Sequence, residues 1–403
     1  MKNLLKLLSI CLILVNIGCE EDTHGPIVND NEPPEDISNL NVTPINGGFD
    51  ITYDVPSGKD VLYVKAVYTT SNGEKSEVRA SAFTNTMQIE GYGDIQPKTV
   101  NIFTVDRSEN ESAGISFTES PLEPVVQVVA NSMTIKETYS GVNISWENLT
   151  KAPLAFEIFA ENEAGNLEIA ETIYSQAEQS DFSLRDRESV PQAFKVSIRD
   201  QFGNVSEVYP DTPDQKLTPV KEERLDKSIM QVIPLDNSPS SGWENFGGRH
   251  SSIFDDEHGA GNYVHTTSAS PLPVSITIDL GVEAYISRLI IHHRLGADSA
   301  REYPFNHGNP EEYEVFGRKD PPSQSGDWNE WTLLYSAKSV KPSGLESGLL
   351  TDEDRITADL GEEHEFDIAE RPLIRYVRIR INKVFTASAA HIGEFTAFGE
   401  INN

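Results

Sequence analysis

The stretch from Arg294 to Pro310 gathers Arg294, Tyr303, Phe305, Asn306, His307 and Asn309. A second stretch, from Asn245 to Thr267, adds His258, Tyr263 and His265, with Trp243 just ahead of it. Rings, a guanidinium, planar amides and imidazoles together suit a polyhydroxylated ligand: ring faces pack on C–H surfaces, and the polar groups pair with vicinal hydroxyls. Motifs for covalent chemistry are missing from the sequence. There is no Gly-x-Ser-x-Gly, His-Glu-x-x-His, phosphate-binding or dinucleotide fingerprint. His292 and His293 are adjacent on a strand pattern, so they point to opposite faces and do not share an ion. The residues therefore point to binding rather than catalysis, with no enzyme expected. Hydrolysis by two acids stays as a lesser alternative, because 64 Asp and Glu offer many pairs.

These loops need a rigid frame, and the flanking sequence supplies β-patterns. Residues 274–281, 286–292, 313–316, 331–335 and 376–381 alternate or run apolar as strands do, without a long helical pattern. They form a larger all-β domain over 215–403. Ahead of it lies a repeat: Gly48-Phe49-Asp50-Ile51-Thr52-Tyr53 is answered by Gly141-Val142-Asn143-Ile144-Ser145-Trp146. Asp106, Asn110 and Ser112 are likewise answered by Asp200, Asn204 and Ser206. Two copies of one small sandwich, over 37–120 and 121–214, follow from this, with Tyr53 and Trp146 as core aromatics. The Asp106 and Asp200 turns are expected to fix loops through their side chains. Trp328 and Trp331 read as packing residues.

The start of the chain has the layout of an export signal, with Lys2 and Lys6, an apolar run too short to span a bilayer, and Gly18-Cys19. Gly-Cys after such a run resembles the bacterial lipobox, which implies a signal at 1–18 and a lipid on Cys19. Glu20-Glu21-Asp22 resembles the surface-export signal of Bacteroidetes lipoproteins. Residues 19–36, rich in Asp, Glu, Asn and Pro, read as a flexible tether. The other cysteine, Cys11, lies in the signal, so the fold stands without disulfides. A net charge of -32 repels nucleic acid and anionic headgroups, and no nucleic-acid partner is expected.

Four segments carry a resemblance to the discoidin-like jelly roll of coagulation factor type C domains and family 32 carbohydrate-binding modules. They are Ile276-Thr277-Ile278-Asp279-Leu280-Gly281, Ile286 through His292-His293-Arg294, Glu312-Tyr313-Glu314-Val315-Phe316-Gly317 and Glu394-Phe395-Thr396-Ala397-Phe398-Gly399. The two copies ahead of it resemble fibronectin type III-like modules. The whole chain resembles Bacteroidetes surface lipoproteins of polysaccharide utilisation loci. This implies an outer-membrane, lipid-anchored glycan binder beside a TonB-dependent transporter and its lipoprotein partner. A docking subunit of that transporter complex, with no sugar site, is the alternative. The resemblance also implies roles: Arg294 and Asn306 hold hydroxyls, Phe385 stacks on a sugar, and Asp255 with Glu394 holds a structural calcium. Tyr303, His307, His265, Tyr263 and Trp243 complete the expected ligand set.

Overall fold

A computed structural model describes residues 31–57, 61–210, 215–297 and 302–402. The expected signal, Cys19 and most of the expected tether lie outside the described residues.

Seven strands build the first copy: β1 Ser38–Ile45, β2 Gly48–Asp54, β3 Val61–Thr69, β4 Lys75–Ser81, β5 Thr86–Glu90, β6 Lys98–Asp106 and β7 Ile115–Glu119. Alternation decides which face goes inward. In β2, Phe49, Ile51 and Tyr53 are buried while Asp50, Thr52 and Asp54 are exposed. The sheets β1-β2-β5 and β4-β3-β6-β7 enclose a core that includes Phe49, Ile51, Tyr53, Val64, Tyr68, Ile89 and Ile102. Removing each such side chain from water contributes about 1.5–3 kcal/mol.

The second copy follows with β8 Thr134–Thr138, β9 Gly141–Glu147, β10 Leu154–Glu161, β11 Leu167–Ser175, β12 Gln179–Leu184, β13 Gln192–Asp200 and β14 Lys216–Leu217. Its sheet orders, β12-β9-β8 and β11-β10-β13-β14, repeat those of the first copy. Trp146 is buried and packs on Phe156 with ring centroids 4.2 Å apart. The paired glycines have one cause. A Cβ on Gly48 would stand 2.0 Å from the Ile89 carbonyl oxygen, and one on Gly141 would stand 1.7 Å from that of Leu184. At the start of the second copy, Val125–Ser132 forms helix α1 despite its valines, because Val126, Val129 and Ala130 fall on one buried face.

The C-terminal domain holds β15 Glu223–Arg224, β16 Gln231–Val232, β17 Val264–His265, β18 Val274–His292, β19 Pro310–Arg318, β20 Thr332–Lys338, β21 Glu362–Glu365, β22 Leu373–Val384, β23 His391–Ile392 and β24 Glu394–Ile401. Its main sheet runs β15-β24-β18-β22-β19-β20, and β17 pairs β23 apart from it. The two strands expected at 274–281 and 286–292 are one, because Gly281, at φ +79, lets the chain bend inside the sheet. Ile276, Ile278, Leu289, Ile291, Val315, Val377, Ile379 and Phe395 fill the core. The molecule is thus all-β, made of several β-sandwich domains, as the strand patterns imply. Helix α2, Asp352–Leu360, is the one α-helix of the C-terminal domain among the described residues, started by a capping box between Thr351 and Asp354.

The chain divides into two compact units, and the second copy is shared between them. Its segments Ile135–Ile144 and Asp181–Ala193 belong to the unit of the C-terminal domain. Within that unit Tyr139 donates its hydroxyl to the Phe366 carbonyl at 2.8 Å, Arg185 pairs with Glu363 and Glu365, and Arg288 pairs with Glu222 at 2.8 Å.

Candidate functional site

The antiparallel pairing of β17 with β23 sets His265 directly opposite His391, and both rings fall on one side with centroids 5.3 Å apart. The turn ahead of β19 brings a third imidazole. Phe305 and His307 take left-handed backbone, φ +46 and +53, and Asn309 clamps the turn from inside. The Asn309 amide donates to the carbonyls of Arg294, at 3.1 Å, and Tyr303, at 2.8 Å, and its oxygen accepts from the Arg294 N–H at 2.8 Å. His307 Nδ1 then lies 3.2 Å from His391 Nε2.

Arg294 is sandwiched between aromatic rings, 3.6 Å from the centre of Tyr263 and 3.9 Å from that of Tyr303. Its Nε and Nη2 donate to the Ala260 carbonyl at 2.9 and 2.6 Å. Asn306 ties the loop to the next one, accepting from the Thr386 hydroxyl at 2.9 Å and donating to the Glu302 carbonyl at 2.8 Å. Six of the expected ligand residues, Arg294, Tyr303, Asn306, His307, His265 and Tyr263, are therefore brought together, but only His307 of these is half-exposed. The other five form a buried bed in which Arg294, Asn306, His265 and Tyr263 hydrogen-bond to backbone carbonyls.

Of the remaining expected ligand residues, Phe385 lies beside this cluster and Trp243 lies in the core. Phe385, half-buried, packs on His293 and Phe305, 5.8 and 5.9 Å away. Trp243 belongs to the core, 3% exposed, and donates its indole N–H to the Ser275 carbonyl at 3.0 Å. That burial leaves it no face for a ligand. His292 and His293 diverge as adjacent strand residues must: His292 stacks on His258 and His293 faces Glu362 at 3.3 Å.

Two residues of this end went unread in the sequence. Phe246 is 72% exposed on left-handed backbone, φ +55, with its ring 5.0 Å from that of His265 and its carbonyl accepting from the Tyr263 hydroxyl at 2.5 Å. His391 is fully buried. The signal for Phe246 is an aromatic inside Asn245-Phe246-Gly247-Gly248, where the glycines mark a turn and not a strand that would bury the ring. Burial holds both His265 and His391 below the usual histidine range, and the neighbouring Arg294 charge pushes each the same way.

The residues expected to hold calcium do not fit that ion. Glu394 is buried and pairs with the Lys227 ammonium, which also reaches Asp256 at 2.7 Å. Asp255 is exposed and accepts from the Glu257 amide at 3.0 Å and the Asn262 side chain at 3.1 Å. A lysine thus supplies the positive charge at the place where an oxygen cage was expected.

Three domain families of unknown function match in tandem: DUF4959 over residues 34–121, DUF5126 over 122–228 and DUF5000 over 254–399. No curated protein matches. Among solved structures, a SusE-like protein is 30% identical, with 69% of this chain and 100% of that chain covered and a TM-score of 0.42. The family 32 carbohydrate-binding module of C. perfringens NanJ, solved with galactose, is 18% identical over 44% of this chain and 98% of its own, with a TM-score of 0.30. A two-domain fibronectin type III segment of chicken tenascin is 13% identical over 45% and 98%, with a TM-score of 0.21.

Proposed function

The chain belongs to the SusE-like family, and from that membership we propose that it is a surface lipoprotein, anchored through Cys19, that binds glycan with its C-terminal jelly roll. Its role is that of a non-catalytic accessory in polysaccharide capture, beside a TonB-dependent transporter and its lipoprotein partner. One observation carries the sugar reading: an exposed aromatic ring, Phe246, stands beside His265 at the same loop end as the half-exposed His307. A ring face for C–H packing next to imidazoles for hydroxyls is the minimum a pyranose needs. The buried Arg294, Tyr263 and Tyr303 act beneath it as a support that fixes the loops. With a net charge of -32, neutral glycans are favoured over sulfated or phosphorylated ones.

Affinity electrophoresis of the full-length protein in detergent, in gels containing a panel of polysaccharides, tests this reading. Retardation by one neutral glycan, abolished by Phe246→Ala with unchanged melting, is the expected result. Unaltered migration in every gel, together with co-purification of a transporter, assigns the docking role instead. Release of reducing sugar would make it an enzyme.

A further inference from the structure

We propose that His265, His307 and His391 form a binding site for a divalent transition-metal ion of the zinc type. One ring nitrogen from each of the three lies within 4.8 Å of the other two. The three come from separate parts of the chain, held by the β17–β23 register and by the Asn309 clamp, so their convergence is a property of the fold. Zinc bound at about 2.0–2.1 Å by imidazoles sets its nitrogens about 3.3 Å apart in tetrahedral geometry. The 3.2 Å between His307 Nδ1 and His391 Nε2 already meets that spacing.

Hydrogen bonding around the rings points the same way. His265 Nδ1 faces the Thr266 carbonyl, which only accepts, so Nδ1 carries the proton and Nε2 the lone pair. A ring N–H held by a backbone carbonyl is the usual outer support of a metal-bound histidine. His391, in contrast, faces the cluster through Nε2, and its Nδ1 is buried with no hydrogen-bond partner among the described residues, so it lacks the outer support that His265 has. Imidazole suits zinc, copper and nickel rather than calcium or magnesium. Two features weaken the site without removing it: the Arg294 charge stands nearby, and the Gly308 amide donates to His391 Nε2 at 3.1 Å, a bond that an ion on that nitrogen displaces. His307, half-exposed, gives the cluster an edge toward solvent. Metal binding here uses the same His265 and His307 imidazoles as the glycan reading, and zinc retention and glycan retardation are measured separately, so the failure of one is distinguishable from the failure of the other.

The test uses full-length protein in detergent, stripped with a chelator, incubated with zinc and then desalted. One zinc per chain is expected, with a rise in melting temperature. His307→Gln, chosen because that ring is the least buried, is expected to weaken zinc binding by more than about 100-fold, since losing a direct ligand costs more than the loss of about 10–100-fold from an outer-shell partner. Cobalt(II) in the unaltered protein is expected to show the intense visible bands of tetrahedral coordination, a readout that does not depend on any variant folding. Failure to retain stoichiometric zinc, equal retention by His307→Gln, or a cobalt spectrum of the hexa-aquo ion would each overturn the site.

Discussion

Lys227 and Glu394, far apart in sequence, form an ion pair whose side chains are only 7% and 2% exposed. Burial pushes the Glu394 carboxyl up to about 7 against the opposing pull of the Lys227 ammonium. Because the folded-state pKa is raised, this group's contribution to stability is fully present below its ordinary value of 4.5 and is lost as pH rises through about 7. Lys227→Met leaves a buried carboxylate without its partner. It is expected to cost about 3–5 kcal/mol in urea unfolding at pH 8 and less at pH 5, where Glu394 takes up a proton. A chelator is expected to leave the melting of a His307→Gln background unchanged, since the ammonium takes calcium's place.

Asp354 gives the opposite pH dependence. Its carboxylate is buried, which raises the pKa, but donors from Thr351 and Ser343 outweigh that effect and hold it at about 2. The stability it lends is present above its ordinary value of 3.8 and is lost as pH falls toward 2. Asp354→Asn is expected to cost about 1–3 kcal/mol at pH 7 by removing an acceptor from buried donors. It is also expected to flatten the acid limb of the stability curve, measured by thermal melts between pH 2 and pH 5.

The two Asp turns form a matched experiment. Asp106 accepts from the Ser108 and Asn110 amides at 2.7 and 2.8 Å and from the Asn110 side chain at 2.9 Å. Asp200 does the same for Phe202 and Asn204, at 2.9, 2.9 and 2.8 Å. Asp106→Ala and Asp200→Ala each leave these donors unmet, and each is expected to cost about 1–3 kcal/mol in urea unfolding. Losses too small to measure would show that water replaces the carboxylate.

The repeat was legible because both copies impose the same local demands, a glycine under a neighbouring carbonyl and a three-donor Asp turn, and such demands fix residue type. Strand alternation was legible for the same reason in β2 and β9. Gly281 misled because a glycine in a strand pattern reads as an end, whereas the sheet absorbs it as a bend. At the loop end, residue types were visible but their exposure was not. Whether Arg294 meets solvent depends on Tyr263 and Tyr303 closing on both of its faces, contacts made across loops far apart in the chain. His391 was missed because its meaning comes from its register partner His265, and register is not written in either short strand alone.

The contrast between Phe246 and Arg294 separates a contact residue from a supporting one. Phe246→Ala removes an exposed ring, so stability is expected to stay within about 0.5 kcal/mol, the usual range for surface changes, while glycan retardation disappears. Arg294→Ala removes a guanidinium held between two rings and bonded to the Ala260 carbonyl, leaving buried acceptors and ring faces unmet. It is expected to cost about 2–4 kcal/mol, combining lost cation–π contact with unsatisfied polar groups, and to weaken retardation only as far as the loops loosen. Arg294→Lys does not restore it, because an ammonium lacks the planar face that stacks between Tyr263 and Tyr303. Urea unfolding and affinity electrophoresis on the same three variants decide the matter: if Arg294→Ala abolishes retardation at unchanged stability, the arginine touches the ligand and is no mere support.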